Sequence, residues 1–277
     1  MFRRLPQIFM LLLLPIYISA EPIFDTHLHY SGQDTRQFSP RDIIDILARN
    51  EVHHAVVTSA PASHTLDLYH HALKDKRVNI IPLLGAYRDH GDKANWTKDL
   101  RLPERIEAAL QQGKWQGIGE LHIFANDRHS PVLRRIVELA TAYKLPLLLH
   151  CDPAVIDSVY EISANQTVIW AHAGTFPYPE LVADYLERYP ALMVDLSVRD
   201  ERIAPNGQIS DEWYELFVKK PRRFMIGVDT FSTSRWHDFD KVVKTINQWL
   251  SQLPDDVAQQ LRYSNASSLY LKHNRDQ

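Results

Sequence analysis

The sequence has a single cysteine and no excess of positive charge, and both facts narrow the range of functions. Cys151 is the only cysteine, so no disulfide can form within the chain. The 34 Asp and Glu residues outnumber the 31 Lys and Arg residues, and no basic stripe is visible. We therefore expect no nucleic acid among its partners. With 45% hydrophobic and 23% charged residues and no internal repeat, the composition is that of an ordinary globular protein.

Long hydrophobic runs are also scarce, and the one that exists lies near the start of the chain. Residues 8–18 are apolar, follow two arginines and precede two small residues, which is typical of a signal peptide, residues 1–20, cleaved after Ala20. The run is short for a membrane span. Ile18 is a less than ideal residue before a cleavage site, so an uncleaved anchor is the alternative. We expect a secreted or periplasmic protein with no membrane span after signal removal.

Eight short apolar runs recur along the rest of the chain, separated by helical patterns. Continuous rather than alternating runs suit parallel strands covered on both sides. Eight alternations over about 250 residues predict an α/β fold, a single (β/α)8 TIM barrel spanning residues 21–277. Helical patterns at residues 255–261 and 265–271 predict extra C-terminal helices packed outside the barrel. A doubly wound sheet is the alternative. The apolar runs are residues 23–29, 55–59, 79–86, 117–121, 146–150, 168–172, 192–197 and 224–229.

The ends of these runs carry the residues that point to chemistry. His27 and His29 share one face of the first strand, because side chains alternate along a strand, and such a pair can hold a divalent metal ion. Five of the eight runs end in a possible metal ligand. In a barrel these ends meet at one mouth, where such enzymes keep their active site. Burying these polar groups without partners would be costly, and a shared metal centre satisfies them together. The candidate ligands are His27, His29, Glu120, His150, His172 and Asp229.

This arrangement resembles the amidohydrolase superfamily of metal-dependent barrels over essentially the whole mature chain. In that pattern the first strand carries His-x-His, the fourth a carboxylate or modified lysine, the fifth and sixth a histidine each, and the eighth an aspartate. Residues 117–120 (GIGE) and 149–151 (LHC) are similar to the TatD-like branch. Residues 171–174 (AHAG) and 265–270 (NASSLY) are more similar to the amidohydrolase-related branch, which includes decarboxylases and lactonases.

The resemblance implies a role for each candidate ligand. One ion would be held by His27, His29 and Asp229, a second by His150 and His172, and Glu120 would bridge the two. No lysine ends the fourth or fifth run, so the bridge would be an unmodified carboxylate, which offers two oxygens. If Glu120 points elsewhere, a single ion binds. Zn²⁺ is the first expectation for the metal. His122 shares the inward face only if the strand continues past Glu120; otherwise it is a loop histidine.

The implied activity is hydrolysis of a small molecule. A metal-activated hydroxide would attack an amide, a lactone or other ester, or a phosphoester, with Asp229 as the catalytic base. Arg88 and Arg199 follow the third and seventh runs. They would either clamp an anionic substrate group or pair with neighbouring aspartates. Trp236 would either wall the pocket or pack beneath its loop.

Three other functions stay open from the sequence. A mononuclear decarboxylase would bind one metal ion and release carbon dioxide. A TatD-like nuclease would release nucleotides from DNA, although the acidic chain counts against it. A non-enzymatic metal- or ligand-binding protein would keep the ligand set without turnover. A monomer and an oligomer are both compatible with the sequence.

Overall fold

Eight parallel strands form the centre of the fold in the computed structural model, which describes residues 22–271. The predicted signal peptide, residues 1–20, lies outside the described residues. No helix within the described range is long and apolar enough to cross a lipid bilayer. The strands are β1 (Ile23–His29), β2 (Val52–Thr58), β3 (Asn79–Pro82), β4 (Ile118–Ile123), β5 (Leu147–Cys151), β6 (Val168–Trp170), β7 (Leu192–Asp195) and β8 (Phe224–Met225).

The strands follow one another around a ring in chain order. β1, β2 and β3 form one parallel sheet, and β4 to β8 form a second. The sheets join where Leu84 bridges Ile118 and where the Gly119 amide donates to the Leu84 carbonyl at 3.0 Å. On the other side the Thr26 amide donates to the Ile226 carbonyl at 3.0 Å. These bonds complete the predicted TIM barrel, and the strand order contains no reversal of the kind that defines a doubly wound sheet.

Helices separate the strands, and local sequence signals explain where several of them begin. Ser39 accepts the Asp42 amide while Asp42 accepts the Ser39 amide, which is a capping box before Pro40. The short helices at Asp200–Ile203 and Thr233–His237 lack an apolar repeat long enough to predict them. The α-helices are α1 (Pro40–Arg49), α2 (Ser63–Asp75), α3 (Leu102–Leu110), α4 (Pro131–Ala142), α5 (Pro153–Ile162), α6 (Pro179–Arg188), α7 (Asp200–Ile203), α8 (Asp211–Lys219), α9 (Thr233–His237), α10 (Phe239–Leu250), α11 (Asp255–Gln259) and α12 (Asn265–Tyr270).

Side chains of the strands alternate between two hydrophobic layers. Phe24, Leu148 and Ile169 belong to a small cluster inside the barrel. Leu147 and Leu149, which flank Leu148 in β5, belong to a larger layer between the strands and the helices. Because both faces of each strand are buried, the strands read as continuous apolar runs in the sequence.

The C-terminal helices close the end of the barrel opposite the strand ends that carry the polar residues. A π-helical turn at Gln260–Ser264 joins α11 to α12. Ala266 and Tyr270 of α12 join the inner cluster, and the ring of Tyr270 stacks on Phe24 with centroids 6.0 Å apart. The predicted helices are therefore present, but α12 covers the barrel interior instead of packing outside it, because its apolar face fills the end of the inner cluster.

The buried side chain of Asn265 links helix α12 to β8, and its removal should destabilise the fold. Its side-chain amide donates to the carbonyls of Phe224 and Pro221 at 2.7 and 2.8 Å. Asn265→Ala leaves both carbonyls without this donor, so we expect the free energy of unfolding in urea to fall by about 1–3 kcal/mol. Ser268→Ala, at an exposed position of the same helix, should change it by less than about 0.5 kcal/mol. Equal effects of the two substitutions would contradict this role for Asn265.

Candidate metal centre

The barrel mouth brings together all six side chains that the sequence nominates as metal ligands. His27 and His29 lie on β1, Glu120 on β4 and His150 on β5. The other two follow their strands: His172 lies in the turn after β6 and Asp229 lies beyond β8. Leu28, between the two histidines of β1, points away into the hydrophobic layer, as the strand alternation predicts.

The carboxylate of Glu120 lies at the centre of this group and contacts five imidazoles. Its Oε1 atom is 3.1 Å from Nδ1 of His150 and 3.2 Å from Nε2 of His172. The Oε2 atom faces three Nε2 atoms, at 3.3 Å for His122, 3.4 Å for His29 and 3.7 Å for His27. β4 continues past Glu120 to Ile123, so His122 does share the inward face. Glu120 is thus where a bridging carboxylate would be.

The backbone at Glu120 depends on the glycine before it. Gly119 has φ +140°, a conformation that favours glycine. A Cβ atom at this position would overlap the carbonyl oxygen of Leu148 on the neighbouring strand. The GIGE segment therefore lets β4 approach β5 closely enough for Glu120 and His150 to meet.

His27 is oriented by a buried carboxylate that the sequence did not reveal as part of the site. Nδ1 of His27 is 2.9 Å from Oδ2 of Asp195, and both residues are fully buried. A carboxylate only accepts, so Nδ1 carries the proton and donates it to Asp195. In the neutral ring, Nε2 then presents a lone pair to Glu120 and to Asp229, whose Oδ1 is 3.8 Å away.

Asp195 also controls His172. The Ser197 hydroxyl donates to Oδ2 of Asp195 at 2.6 Å and lies 2.9 Å from Nδ1 of His172. The backbone amide of His172 donates to the same carboxylate oxygen at 3.3 Å. One buried aspartate therefore fixes the ring orientation of two candidate ligands, which is how protein groups behind a metal site commonly orient its histidines.

Two buried polar atoms test whether this donor set fits a metal ion. Nε2 of His27 and Oδ1 of Asp229 have no hydrogen-bond partner among residues 22–271, although buried polar atoms are normally paired. Oδ1 of Asp229 lies 3.3 Å from Nε2 of His29. Ligand atoms about 2.0–2.1 Å from a tetrahedral zinc ion lie about 3.3–3.4 Å apart. The donors of His27, His29 and Asp229 form a group within 4.8 Å of one another, so these residues fit a divalent ion.

The electrostatics favour a cation between the carboxylates. Burial lowers the pKa of His27, but Asp229, Glu120 and Asp195 outweigh it and hold that pKa well above its usual range. Burial raises the pKa of Glu120, but the surrounding histidines bring it well below its usual range. The carboxylates thus stay ionised and attract a positive charge, either a proton on His27 or a metal ion. Metal binding at such a site displaces protons, so metal affinity should fall as the pH falls.

Two arginines hold the turns that carry His172 and Asp229. His172 and Asp229 adopt positive φ angles of 60° and 54°, which are uncommon for residues other than glycine and often occur at functional sites. Arg199 donates from Nε to the carbonyl of His172 at 2.8 Å. Arg235 donates from Nε to the carbonyl of Asp229 at 2.6 Å. The positive φ angles also explain why β6 and β8 end before the apolar runs that predicted them.

None of the three residues predicted to contact the substrate, Arg88, Arg199 and Trp236, lines the mouth cavity. Arg88 is exposed and forms an ion pair with Asp92 at 2.7 Å. Trp236 is fully buried and donates from Nε1 to the carbonyl of His29 at 3.1 Å, so it supports β1 from beneath the loop. The cavity wall instead includes Lys93, from the loop after β3. Neither the Arg88 nor the Trp236 side chain is among the residues that line the cavity.

The mouth cavity has a volume of about 450 Å³ and opens directly above the candidate ligands. Its size suits a small molecule. Its wall combines charged and polar side chains, among them Lys93, with the exposed ring of Phe231. The cavity is lined by His29, Ser31, Gln33, Asp34, Lys93, Glu120, His122, His150, His172, Asp229, Thr230, Phe231, Ser232 and Thr233.

Asp25, two residues before His27, contacts the backbone of β1 and not the ring of a candidate ligand. Its carboxylate accepts the backbone amides of His27 at 3.0 Å and Val228 at 3.2 Å, and so ties β1 to the chain after β8. Asp195 and Ser197 orient the rings instead. In the sequence, the only sign of Asp195 and Ser197 as site residues is that they are the polar residues at the end of the seventh apolar run, Leu-Met-Val-Asp-Leu-Ser.

Removing the negative charge of Asp195 should weaken metal binding without touching a ligand. In Asp195→Asn an uncharged amide replaces the carboxylate, so the Nδ1 proton of His27 is held less strongly. We expect zinc affinity, measured by calorimetry, to fall about 10–100-fold. Asp184→Asn, at an exposed site on α6, is the matched control and should leave the affinity unchanged. Wild-type affinity in Asp195→Asn would contradict the role given to Asp195.

Comparison with known proteins relates this geometry to solved barrels. No protein-family model and no curated protein matches the sequence. An amidohydrolase from Burkholderia multivorans superimposes with a TM-score of 0.56 at 16% identity, covering 91% of this chain and 99% of that one. A TatD-family hydrolase from Entamoeba histolytica gives 0.60 at 12% identity, covering 91% and 99%. A TatD homologue from Escherichia coli gives 0.62 at 14% identity, covering 90% and 98%.

These identities are low, and the likeness therefore concerns the fold. An amidohydrolase and TatD-family proteins are both among the similar structures. The chain has the barrel fold of the amidohydrolase and TatD structures, and the resemblance inferred from its metal-ligand pattern is confirmed at that level.

Proposed function

We propose that this protein is a metal-dependent hydrolase that cleaves an amide, a lactone or other ester, or a phosphoester of a small molecule. The observation that carries the proposal is the pair of unpaired buried atoms, Nε2 of His27 and Oδ1 of Asp229, within a cluster of histidines around Glu120. Donors that converge without partners favour a metal ion over a network of hydrogen bonds. The fold shared with amidohydrolase and TatD structures supports the same reading.

The residues of the metal centre would have different roles in hydrolysis. One or two divalent ions, with zinc the first candidate for an imidazole-rich set, would act as Lewis acids and lower the pKa of water. His27, His29 and Asp229 would hold one ion, and Glu120 reaches from that group towards His150 and His172. Asp195 keeps His27 in the tautomer that exposes Nε2.

Asp229 is the candidate general base. Burial raises its pKa, but His27 and His29 outweigh burial and hold that pKa below its usual range, so the carboxylate is ionised at neutral pH. Because Oδ1 of Asp229 is the atom assigned to the ion, Oδ2 is the oxygen available as a base, and the side chain lines the cavity. The carboxylate can take a proton from the attacking water and pass it to the leaving group.

The cavity suggests a small polar substrate with a negative charge. Lys93 offers an ammonium group at the wall. Arg199, one of the cations expected from the sequence to bind an anion, is engaged with the carbonyls of His172 and Gly174. Arg88 is engaged with Asp92. The signal peptide pattern adds that the enzyme acts outside the cytoplasm, as a mature chain of residues 21–277.

Metal dependence and the need for Asp229 test the proposal. The mature protein, loaded with zinc, is screened against esters, lactones, amides and phosphoesters. We expect hydrolysis of at least one class, abolished by chelation and lowered about 10²–10⁴-fold in kcat/KM by Asp229→Asn. Asp238→Asn, an exposed aspartate after the same strand, is the matched control and should retain wild-type activity.

Other products would point to the competing functions. Carbon dioxide release with one bound metal ion would identify a decarboxylase, and nucleotides released from DNA would identify a nuclease. Tight metal binding without turnover on any class of substrate would reject the hydrolase proposal in favour of a binding protein.

Lys93 provides a test of the substrate charge. If its ammonium group binds an anionic substrate group, Lys93→Ala should raise KM for an anionic substrate about threefold to fivefold and leave kcat nearly unchanged. A neutral analogue should show no such change. Lys98→Ala, at an exposed position in the same loop, is the control. An equal KM for the anionic substrate in both variants would rule out this contact.

A further inference from the structure

The mouth contains one imidazole more than the ligand set expected from the sequence. We propose that His122 is a metal ligand and that a second ion is held by Glu120, His122 and His150. The inference rests on the proposed metal-dependent function and extends it to a particular set of donors. Atoms of these three side chains form a group within 4.8 Å of one another, separate from the group of His27, His29 and Asp229.

Strand geometry brings these donors together. Glu120 and His122 lie two residues apart on β4 and so face the same side, whereas Leu121 between them points into the hydrophobic layer. The register of β4 against β5 pairs His122 directly with His150. Their rings stack with centroids 4.6 Å apart and planes inclined by 24°. His122 is therefore fixed beside His150 by the sheet itself and does not depend on a loop.

Tyr87 prepares His122 for this role. The Tyr87 hydroxyl oxygen accepts the backbone amide of His122 at 2.7 Å and lies 3.3 Å from Nδ1 of the same residue. When Nδ1 donates its proton to this oxygen, Nε2 carries a lone pair directed at the cavity and Glu120. A ligating histidine usually donates its other N–H to such a partner, and here a buried tyrosine supplies it.

The simpler alternative is that His122 only donates a hydrogen bond to Glu120. A carboxylate offers about four acceptor positions. Glu120 already faces four other imidazoles within 3.7 Å, those of His27, His29, His150 and His172. Nε2 of His27 presents a lone pair, so His122 would be the fourth imidazole to donate and would fill the last acceptor position of the carboxylate. An ion between Glu120 and the pair of His122 and His150 relieves this crowding, because the nitrogens then donate lone pairs to the metal.

Metal content of the full mature chain tests the inference, with cobalt absorption spectra and calorimetric cobalt titration as readouts independent of turnover. We expect about two equivalents in the wild type and about one in His122→Ala, with the remaining ion bound as in the wild type. His129→Ala, an exposed histidine in the loop after the same strand, should keep two. Circular dichroism shows whether each variant is folded.

If His122→Ala does not fold, Tyr87→Phe is the variant that tests the inference, because it keeps the aromatic ring at position 87. Loss of its hydroxyl should weaken the second cobalt equivalent about 10–100-fold and leave the first unchanged. Two equivalents at wild-type affinity in both Tyr87→Phe and folded His122→Ala would overturn the inference. A single equivalent in the wild type would overturn it while leaving a mononuclear hydrolase intact. No metal in the wild type, even after reconstitution, would overturn the proposed function as well.

Discussion

The contact between the buried Glu120 carboxylate and five imidazoles is the interaction on which the rest of the site depends. Glu120 is only 5% exposed, so its charge is removed from water and must be balanced within the protein. The histidines that balance it come from β1, β4, β5 and the turn after β6. A barrel is the arrangement that lets strands so far apart in sequence end at one point. The balanced charge of Glu120 therefore depends on the closed barrel.

A second ring of contacts makes this arrangement rigid. Asp195 fixes the ring of His27 directly and that of His172 through Ser197. Arg199 and Arg235 hold the carbonyls of His172 and Asp229, whose positive φ angles would otherwise be costly. Donors held in position before an ion arrives bind it without paying the entropy of ordering each side chain.

Much of this could be predicted from the sequence, because the relevant patterns are local. Burial of both strand faces produces continuous apolar runs, and the barrel and its polar strand ends follow from them. The His-x-His pair needs only the alternation of a strand. Asp195 could not be assigned to His27, because that contact joins residues 168 positions apart and depends on the closed barrel.

The backbone contacts made by the arginines could not be predicted from the sequence either. Arg199 follows a strand, as a substrate-binding residue would, but it binds the backbone of a neighbouring turn. The left-handed turns at His172 and Asp229 leave no signature in hydrophobic periodicity, so the predicted sixth and eighth strands were too long. Lys93 lies in a loop of short 3-10 turns whose path is set by tertiary contacts, and its place at the cavity could not be inferred.

Anomalous diffraction at the zinc absorption edge, from crystals of the mature protein grown with zinc, tests the metal centre most directly. We predict a strong peak at the barrel mouth, within bonding distance of Nε2 of His27, Nε2 of His29 and Oδ1 of Asp229. Peaks confined to surface histidines such as His53, with none at the mouth, would contradict the account. The cluster around Glu120 would then be a network of buried ion pairs.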